Sequence, residues 1–472
     1  MAAHGRRSKI TAGAAAFLAA GVAGLSGLAM TGTANAQPTP IQHIVVLYLE
    51  NHSFDNLLGF WCRNHPSRCP DGGMPSSVTL SDGTVVHPSV APDRVPGVSH
   101  TVTAQQTAID GGKMDDWQNV AGCSAKTGYA CVSGYTATQV PNLTRLAGKF
   151  AISDRTFSMA DSPSWGGHLY AVMASLDGFK GDNPNPAHGF APGPGWGCDS
   201  NRITPWKPPG GTYELVPSCI PDYSLGLPNG GAFEPTPVRH APTILDRLGA
   251  AGLSWRIFGE PNPPGSSGST PTAGGYGWDI CPSFAECLDT SQKSNNVPSA
   301  SFIHAARAGK LPNFSIVTPG GTDARFSEHN GFSITAGDDW LGQVASAVMH
   351  GPQWRSTALF ITWDDCGCFY DQVPPGNNPD GTPQGPRSPL IIVSPYAKRG
   401  YTDTTASTFA GILAYAEHTF GLTPLGVNDH KAYPFSNAFN YHQAPLQPAR
   451  MVNPPWPRDA YHINWKLAEQ GT

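Results

Sequence analysis

Short unbroken apolar runs alternate along this chain with segments whose apolar positions recur every three to four residues. Ile41–Leu49 and Ala358–Trp363 are the clearest runs, rich in β-branched and aromatic residues and closed by polar ones. Runs of that length and composition predict buried strands. Leu253–Phe258, Asn313–Thr318 and Pro389–Ser394 read the same way, with a further strand near Ala151–Phe157. Helical spacing marks Pro141–Phe150, His168–Leu176, Ala241–Ala251, Ser301–Gly309, Asp338–His350 and Thr408–Phe420. Helices alternating with strands predict an α/β fold, a mostly parallel central sheet flanked by helices. Two stretches dense in Gly, Pro and Ser, near 178–237 and 259–296, interrupt the alternation and predict long loop insertions with little regular structure. With no internal repeat, one domain over residues 37–472 is expected.

The N-terminus follows a different pattern. Arg6, Arg7 and Lys9 precede an Ala/Gly/Leu-rich run, and Ala34-Asn35-Ala36 supplies small residues at a cleavage position. This predicts a signal peptide over residues 1–36, with a hint of twin-arginine export, and a secreted mature chain. No later run is long and apolar enough to serve as a transmembrane anchor. Ten cysteines agree with an oxidising compartment. Their close spacing predicts five local bridges: Cys62/Cys69, Cys123/Cys131, Cys198/Cys219, Cys281/Cys287 and Cys366/Cys368. The last would close a very small ring, and those two thiols stand beside Asp365 as alternative soft metal ligands. A net charge of −5 argues against nucleic-acid binding. Aromatic residues in the insertions serve either as core under long loops or as points of contact with sugars or, peripherally, a membrane.

The strand ends carry the candidate chemistry. Glu50-Asn51 follows the first run and Asp364-Asp365 follows the second. In open α/β sheets ligands bind beyond the carboxyl ends of the strands, so these two pairs can meet around one cation. Carboxylate and amide oxygens favour a divalent metal ion of the hard type, Ca²⁺, Mg²⁺ or Mn²⁺, with Zn²⁺ the softer option. Each pair alone is equally well read as a cap on the turn after its strand. Ser164, in DSPSWGGHLY, lies where a strand turns into a helix and is a candidate nucleophile, or simply an N-cap. His100 in GVSHTV and His329 in FSEHNG are candidates for contacting phosphoryl oxygens, or surface histidines.

Taken in order, these segments resemble the bacterial phosphoesterase family of phospholipases C and acid phosphatase A-like enzymes, whose fold is alkaline phosphatase-like. IVVLYLENHSFDNLLG is similar to the family's opening strand and E-N-x-S-F-D. SHTVTAQQTAIDGGKMDDW resembles its histidine segment, DSPSWGGHLYAVMAS its nucleophile segment, and SEHNGFSITAGDDW through ALFITWDD its S-E-H segment and second metal strand. The resemblance spans about Ile41 to Leu425. It implies that Glu50, Asn51, Asp364 and Asp365 bind metal, that Ser164 is the nucleophile, and that His100 and His329 stand around the phosphate. The family's D-E-H-G-G-F-Y-D-H reads Asp364 through Gln372 here, with Asp365, Cys366 and Gln372 among the departures. Trp165 stands where a histidine often follows the nucleophile, and His168 where an arginine is common.

The implied function is hydrolysis of a phosphate ester, either a monoester or the phosphodiester of a phospholipid substrate, through a phosphoserine intermediate. A hydrolase of another ester such as sulfate, and a non-catalytic binding module on the same scaffold, are the alternatives.

Overall fold

A computed structural model describes residues 39–464 and 466, except 192, 194, 223–225, 227–235 and 262–277. The expected signal peptide lies outside the described residues. So do parts of both insertions.

The apolar runs assemble into one eight-stranded sheet. In chain order its strands are β1 (His43–Leu49), β2 (Ala151–Ser153), β3 (Trp255–Gly259), β4 (Asn296–Pro298), β5 (Phe314–Val317), β6 (Thr357–Trp363), β7 (Leu390–Val393) and β8 (Thr402–Asp403). Their spatial order is β4-β3-β5-β1-β6-β7-β2-β8. Only β7 runs against its neighbours; every other pairing in this sheet is parallel. β1 and β6 lie side by side at the centre and are buried along almost their whole length, as their unbroken apolar composition requires.

Helices cover the sheet. Phe54–Asn64 follows β1, capped by the Ser53 hydroxyl, which accepts from Asn56 N. Ile334–His350 leads toward β6 with most of its residues buried. Pro141–Lys149 packs on that helix, and its first amides donate to Asp338: Asn142 N at 2.9 Å and Leu143 N at 2.8 Å. Ala410–Phe420 closes the last crossover at Gly421, which takes a left-handed φ of 68°.

The structure departs from the sequence reading in several places, and the stretch near 259–296 carries the short helix Ala285–Asp289. The stretch near 178–237 is not structureless: Asn185–Pro186, Arg202–Trp206 and Glu214–Pro217 form a small antiparallel sheet. Its strands are short and rich in proline, which hid them among turn residues. The helix placed at His168–Leu176 runs instead over Ser164–Leu169, and the apolar residues after it are buried in turns. Four of the expected disulfides are present, but Cys366 and Cys368 are free and buried. The Asp365–Cys368 turn explains this. Gly367 and Cys368 both take left-handed φ, and the Cys366 sulfur accepts from Cys368 N at 3.1 Å. The thiol thus serves the turn itself. No helix among the described residues is long and apolar enough to cross a membrane.

Candidate active site

The register of the two central strands brings the acidic pairs together. Leu49 of β1 faces Trp363 of β6, so Glu50 and Asp364 emerge next to each other. Asp364 N donates to Leu49 O at 3.0 Å, continuing the ladder one step past the strands. Asn51 then turns into the left-handed region, φ 64°, which asparagine tolerates better than most residues. That turn lets its backbone N–H donate to Asp364 Oδ1 at 2.9 Å and brings its side chain inward. Asp365 is held by Gly367 N, which donates to Oδ1 at 2.6 Å.

Ser164 enters from the other side, at the first turn of Ser164–Leu169. Its hydroxyl donates to Asn51 Oδ1 at 3.1 Å. The helix approaches β6 so closely that a Cβ on Gly167 would sit 2.7 Å from the Asp364 carbonyl oxygen. Tyr48 locks the approach by donating its hydroxyl to Gly167 O at 3.0 Å. On the next position of the helix, His168 Nε2 lies 2.8 Å from Glu50 Oε1 and 3.8 Å from Asp364 Oδ2.

The Asn51 amide is the informative group. One end lies 3.1 Å from Ser164 Oγ and 3.2 Å from both Asp364 Oδ1 and Asp365 Oδ2; the other end lies 3.0 Å from His329 Nε2. By hydrogen bonding to the carboxylates alone, the NH₂ would face them. His329 argues for the opposite orientation. Its Nδ1 faces the Asn330 carbonyl at 3.3 Å, which makes Nδ1 the protonated nitrogen and Nε2 an acceptor for the Asn51 NH₂. The Asn330 side-chain oxygen offers that NH₂ a second acceptor at 3.4 Å. The Asn51 carbonyl oxygen then points at two carboxylate oxygens. A cation resolves that arrangement.

The electrostatics agree. Glu50, Asn51, Ser164, Asp364 and Asp365 are wholly buried. Among the described residues, His168 is the only basic side chain within 4 Å of the Glu50 and Asp364 carboxylates, and burial lowers it to about 3, so it brings them no positive charge. Burial, and then the neighbouring Asp364, drives the Glu50 carboxyl well above its ordinary range. Burial and then Asp365 push Asp364 up to about 7, and burial pushes Asp365 up to about 8. Glu50 Oε2 has no hydrogen-bond partner. Buried acidic oxygens left this way are costly unless a positive charge joins them. Among the described residues, Glu50, His168 and Asp364 each place a ligand atom within 4.8 Å of the others. The residues present therefore fit a divalent cation.

His100 and His329 are brought to the same place. Their rings meet edge-on with centroids 6.0 Å apart, and His329 also packs against Trp278 and Phe332. Both are buried, which lowers His100 from its usual value and His329 to about 3, with His100 adding to the effect on His329. His100 Nδ1 faces Val98 O at 3.1 Å, so its Nε2 also carries the lone pair. All seven residues expected at the site thus converge.

Reading residues singly missed His168. A lone histidine inside an apolar helix gives no local sign of ligation; only the i, i+4 spacing from Ser164, on one helical face, could have flagged it. The sequence reading also passed over Arg387. Its guanidinium is fully buried and joins the segment after β1 to the loop after β6 through Asp55 and Asp371. A cleft of about 580 Å³ lined by Asp161, Tyr170, Lys180, Trp206, Arg239 and Asp380 passes beside the Ser164 helix but includes none of the seven site residues.

The chain is similar to several known proteins. Non-specific phospholipase C1 of Arabidopsis thaliana is 26% identical over 397 residues, covering 76% of this chain and 62% of that protein. Non-hemolytic phospholipase C of Pseudomonas aeruginosa is 25% identical over 434 residues, covering 81% of this chain and 54% of that protein. The chain therefore spans less than two thirds of the length of either relative. Among solved structures, a protein of the alkaline phosphatase superfamily from Vibrio parahaemolyticus aligns over 84% of this chain and 73% of that chain, with 13% identity and a TM-score of 0.33. The Phosphoesterase family model matches residues 41–423, a span that holds every residue of the cluster, and the chain belongs to that family.

Proposed function

We propose that this protein is an exported, metal-dependent phosphoesterase that cleaves a phosphate ester through Ser164. One observation carries the reading. The Ser164 hydroxyl sits 3.1 Å from an amide oxygen that itself faces two buried carboxylates, which is a nucleophile placed at the edge of a cation pocket. The family's relatives are phospholipases C, which supports a phosphomonoester or phospholipid phosphodiester as substrate. Four disulfides support export, and residues 37–472 act as one phosphoesterase domain.

Glu50, Asn51, Asp364 and Asp365 would hold the cation, and their oxygens suit Mg²⁺, Mn²⁺ or Ca²⁺. When bound, it would lower the pKa of the serine hydroxyl and offset charge on the phosphoryl oxygens. Ser164 Oγ attacks phosphorus, the ester oxygen leaves with a proton, and a phosphoserine forms. Water then attacks the phosphoserine, releasing phosphate or the phosphorylated head group and restoring the hydroxyl. His100, neutral and with its lone pair on Nε2, takes up the proton that attack releases and returns it to the leaving oxygen, while His329 accepts from the Asn51 NH₂ and holds that amide in place. Asn51 orients the hydroxyl.

The test is turnover of nitrophenyl phosphate and nitrophenyl phosphorylcholine by the purified protein, with and without chelator, beside Ser164→Ala. Chelator-sensitive turnover that disappears in Ser164→Ala supports the reading, and the preferred substrate assigns monoester or diester. Turnover retained by Ser164→Ala would remove the serine from the mechanism.

A further inference from the structure

The cation pocket contains a nitrogen as well as oxygens. His168 Nε2 lies 2.8 Å from Glu50 Oε1 and 3.8 Å from Asp364 Oδ2, and all three ligand atoms lie within 4.8 Å of one another. Adjacent donors around an octahedral ion with bonds of about 2.1 Å stand about 3.0 Å apart. Around a tetrahedral ion with similar bonds they stand about 3.4 Å apart. The observed separations bracket those edges. The other Glu50 oxygen, Oε2, is buried without any partner. A simple His168–Glu50 hydrogen bond would leave it so.

The ring is also held for this purpose. His168 is 1% exposed and stands edge-on to Tyr48, with centroids 5.1 Å apart. Tyr48 in turn anchors the helix by donating to Gly167 O at 3.0 Å. Glycine at 167 permits the close approach to Asp364 that brings the imidazole within reach. Ring, helix and carboxylates are thus fixed by packing rather than by a flexible tether.

We propose that His168 is a nitrogen ligand of the cation, sharing it with Glu50 and Asp364. The pocket is thereby matched to a borderline divalent ion, Mn²⁺, Fe²⁺, Co²⁺ or Zn²⁺, rather than to Ca²⁺ or Mg²⁺. Imidazole binds ions of the first class well, whereas Ca²⁺ and Mg²⁺ take oxygen almost exclusively. The inference rests on the reading of this pocket as a cation site and adds the donor that sets its selectivity.

The experiment uses the whole protein, stripped with chelator and reloaded with Mn²⁺ or Ca²⁺, beside His168→Gln. Calorimetry gives the two affinities, and pulsed electron paramagnetic resonance of the Mn²⁺ form reports nitrogen coupled to the ion. Wild type is expected to show imidazole nitrogen coupling that vanishes in His168→Gln. Mn²⁺ affinity should fall by at least about tenfold in the variant, while Ca²⁺ affinity changes far less. Absence of nitrogen coupling in Mn²⁺-loaded wild type overturns the assignment even if the variant does not fold. Coupling that persists in His168→Gln, or equal weakening of both ions, also overturns it and leaves His168 as an orienting partner of Glu50. Wild type that binds neither ion removes the cation reading itself. Binding without nitrogen coupling removes only the role of His168.

Discussion

Arg387 donates from Nε to Asp371 Oδ1 at 3.0 Å, with all its side-chain atoms out of water. Its Nη2 reaches Asp55 Oδ1 at 3.1 Å and its Nη1 reaches Asp154 O at 2.8 Å. Asp55 lies in the first turn of the helix after β1 and Asp371 lies in the loop after β6. One guanidinium therefore ties together the two segments that carry Glu50-Asn51 and Asp364-Asp365. Burial drives Asp55 up to about 7, the neighbouring Asp371 adds to this, and Arg387 opposes both.

Removing that cation leaves two buried carboxylates facing each other. Arg387→Met should cost about 3–5 kcal/mol of stability, the range for breaking one side of a buried ion pair. Denaturant titration checks this. A variant within about 1 kcal/mol of wild type would mean that the carboxylates are protonated there and the network is not ionic.

The acidic pocket predicts an inversion of the usual effect of mutation. Three buried carboxylates repel one another without a cation, so Asp365→Asn should raise the melting temperature of chelator-treated protein. The same change should reduce the further rise that a divalent cation gives wild type, because it removes a charged ligand. Thermal melts with chelator and with Mn²⁺ decide the matter. Equal shifts in both conditions would separate Asp365 from cation binding.

Gly167 offers a packing test of the same site. An alanine methyl would lie 2.7 Å from the Asp364 carbonyl oxygen, which is backbone and cannot swing aside. The Ser164 helix must then withdraw from β6, carrying the nucleophile and His168 with it. Gly167→Ala should lower kcat on nitrophenyl phosphate by at least about a hundredfold, the scale of a misplacement near 1 Å. Its melting temperature should fall by only a few degrees. Unaltered kcat would show that the helix position does not govern the chemistry.

Much of this site was legible because strand ends announce themselves. An unbroken apolar run that stops at Glu50-Asn51 or Asp364-Asp365 states both the element and the edge of the sheet where ligands gather. The order of segments then placed Ser164, His100 and His329. What the sequence withheld were relations across the fold. The Leu49–Trp363 register, which sets Glu50 beside Asp364, depends on strand neighbours far apart in the chain. His168 looks like core until the helix is docked. Arg387 looks like a loop cation, since burial of a charge is invisible until its two partners are known. The prolines in Arg202–Trp206 and Glu214–Pro217 concealed two short strands of the small antiparallel sheet.

Asp338 supplies a pH dependence away from the cation pocket. Burial raises its carboxyl to about 7, against the two backbone N–H donors of Asn142 and Leu143. A carboxyl raised on folding binds its proton more tightly in the folded state than in the unfolded chain. Its contribution is therefore fully present below the unfolded value of about 3.9 and is lost as pH rises through about 7. Asp338→Asn carries no titrating group, so its stability should fall less than wild type between pH 4 and pH 8 when urea midpoints are compared in chelator. At pH 8 the gap between the two should be smallest in favour of wild type, or reversed. A variant whose midpoint tracks wild type across that interval would show that Asp338 stays ionised throughout, held by the two amides it accepts from.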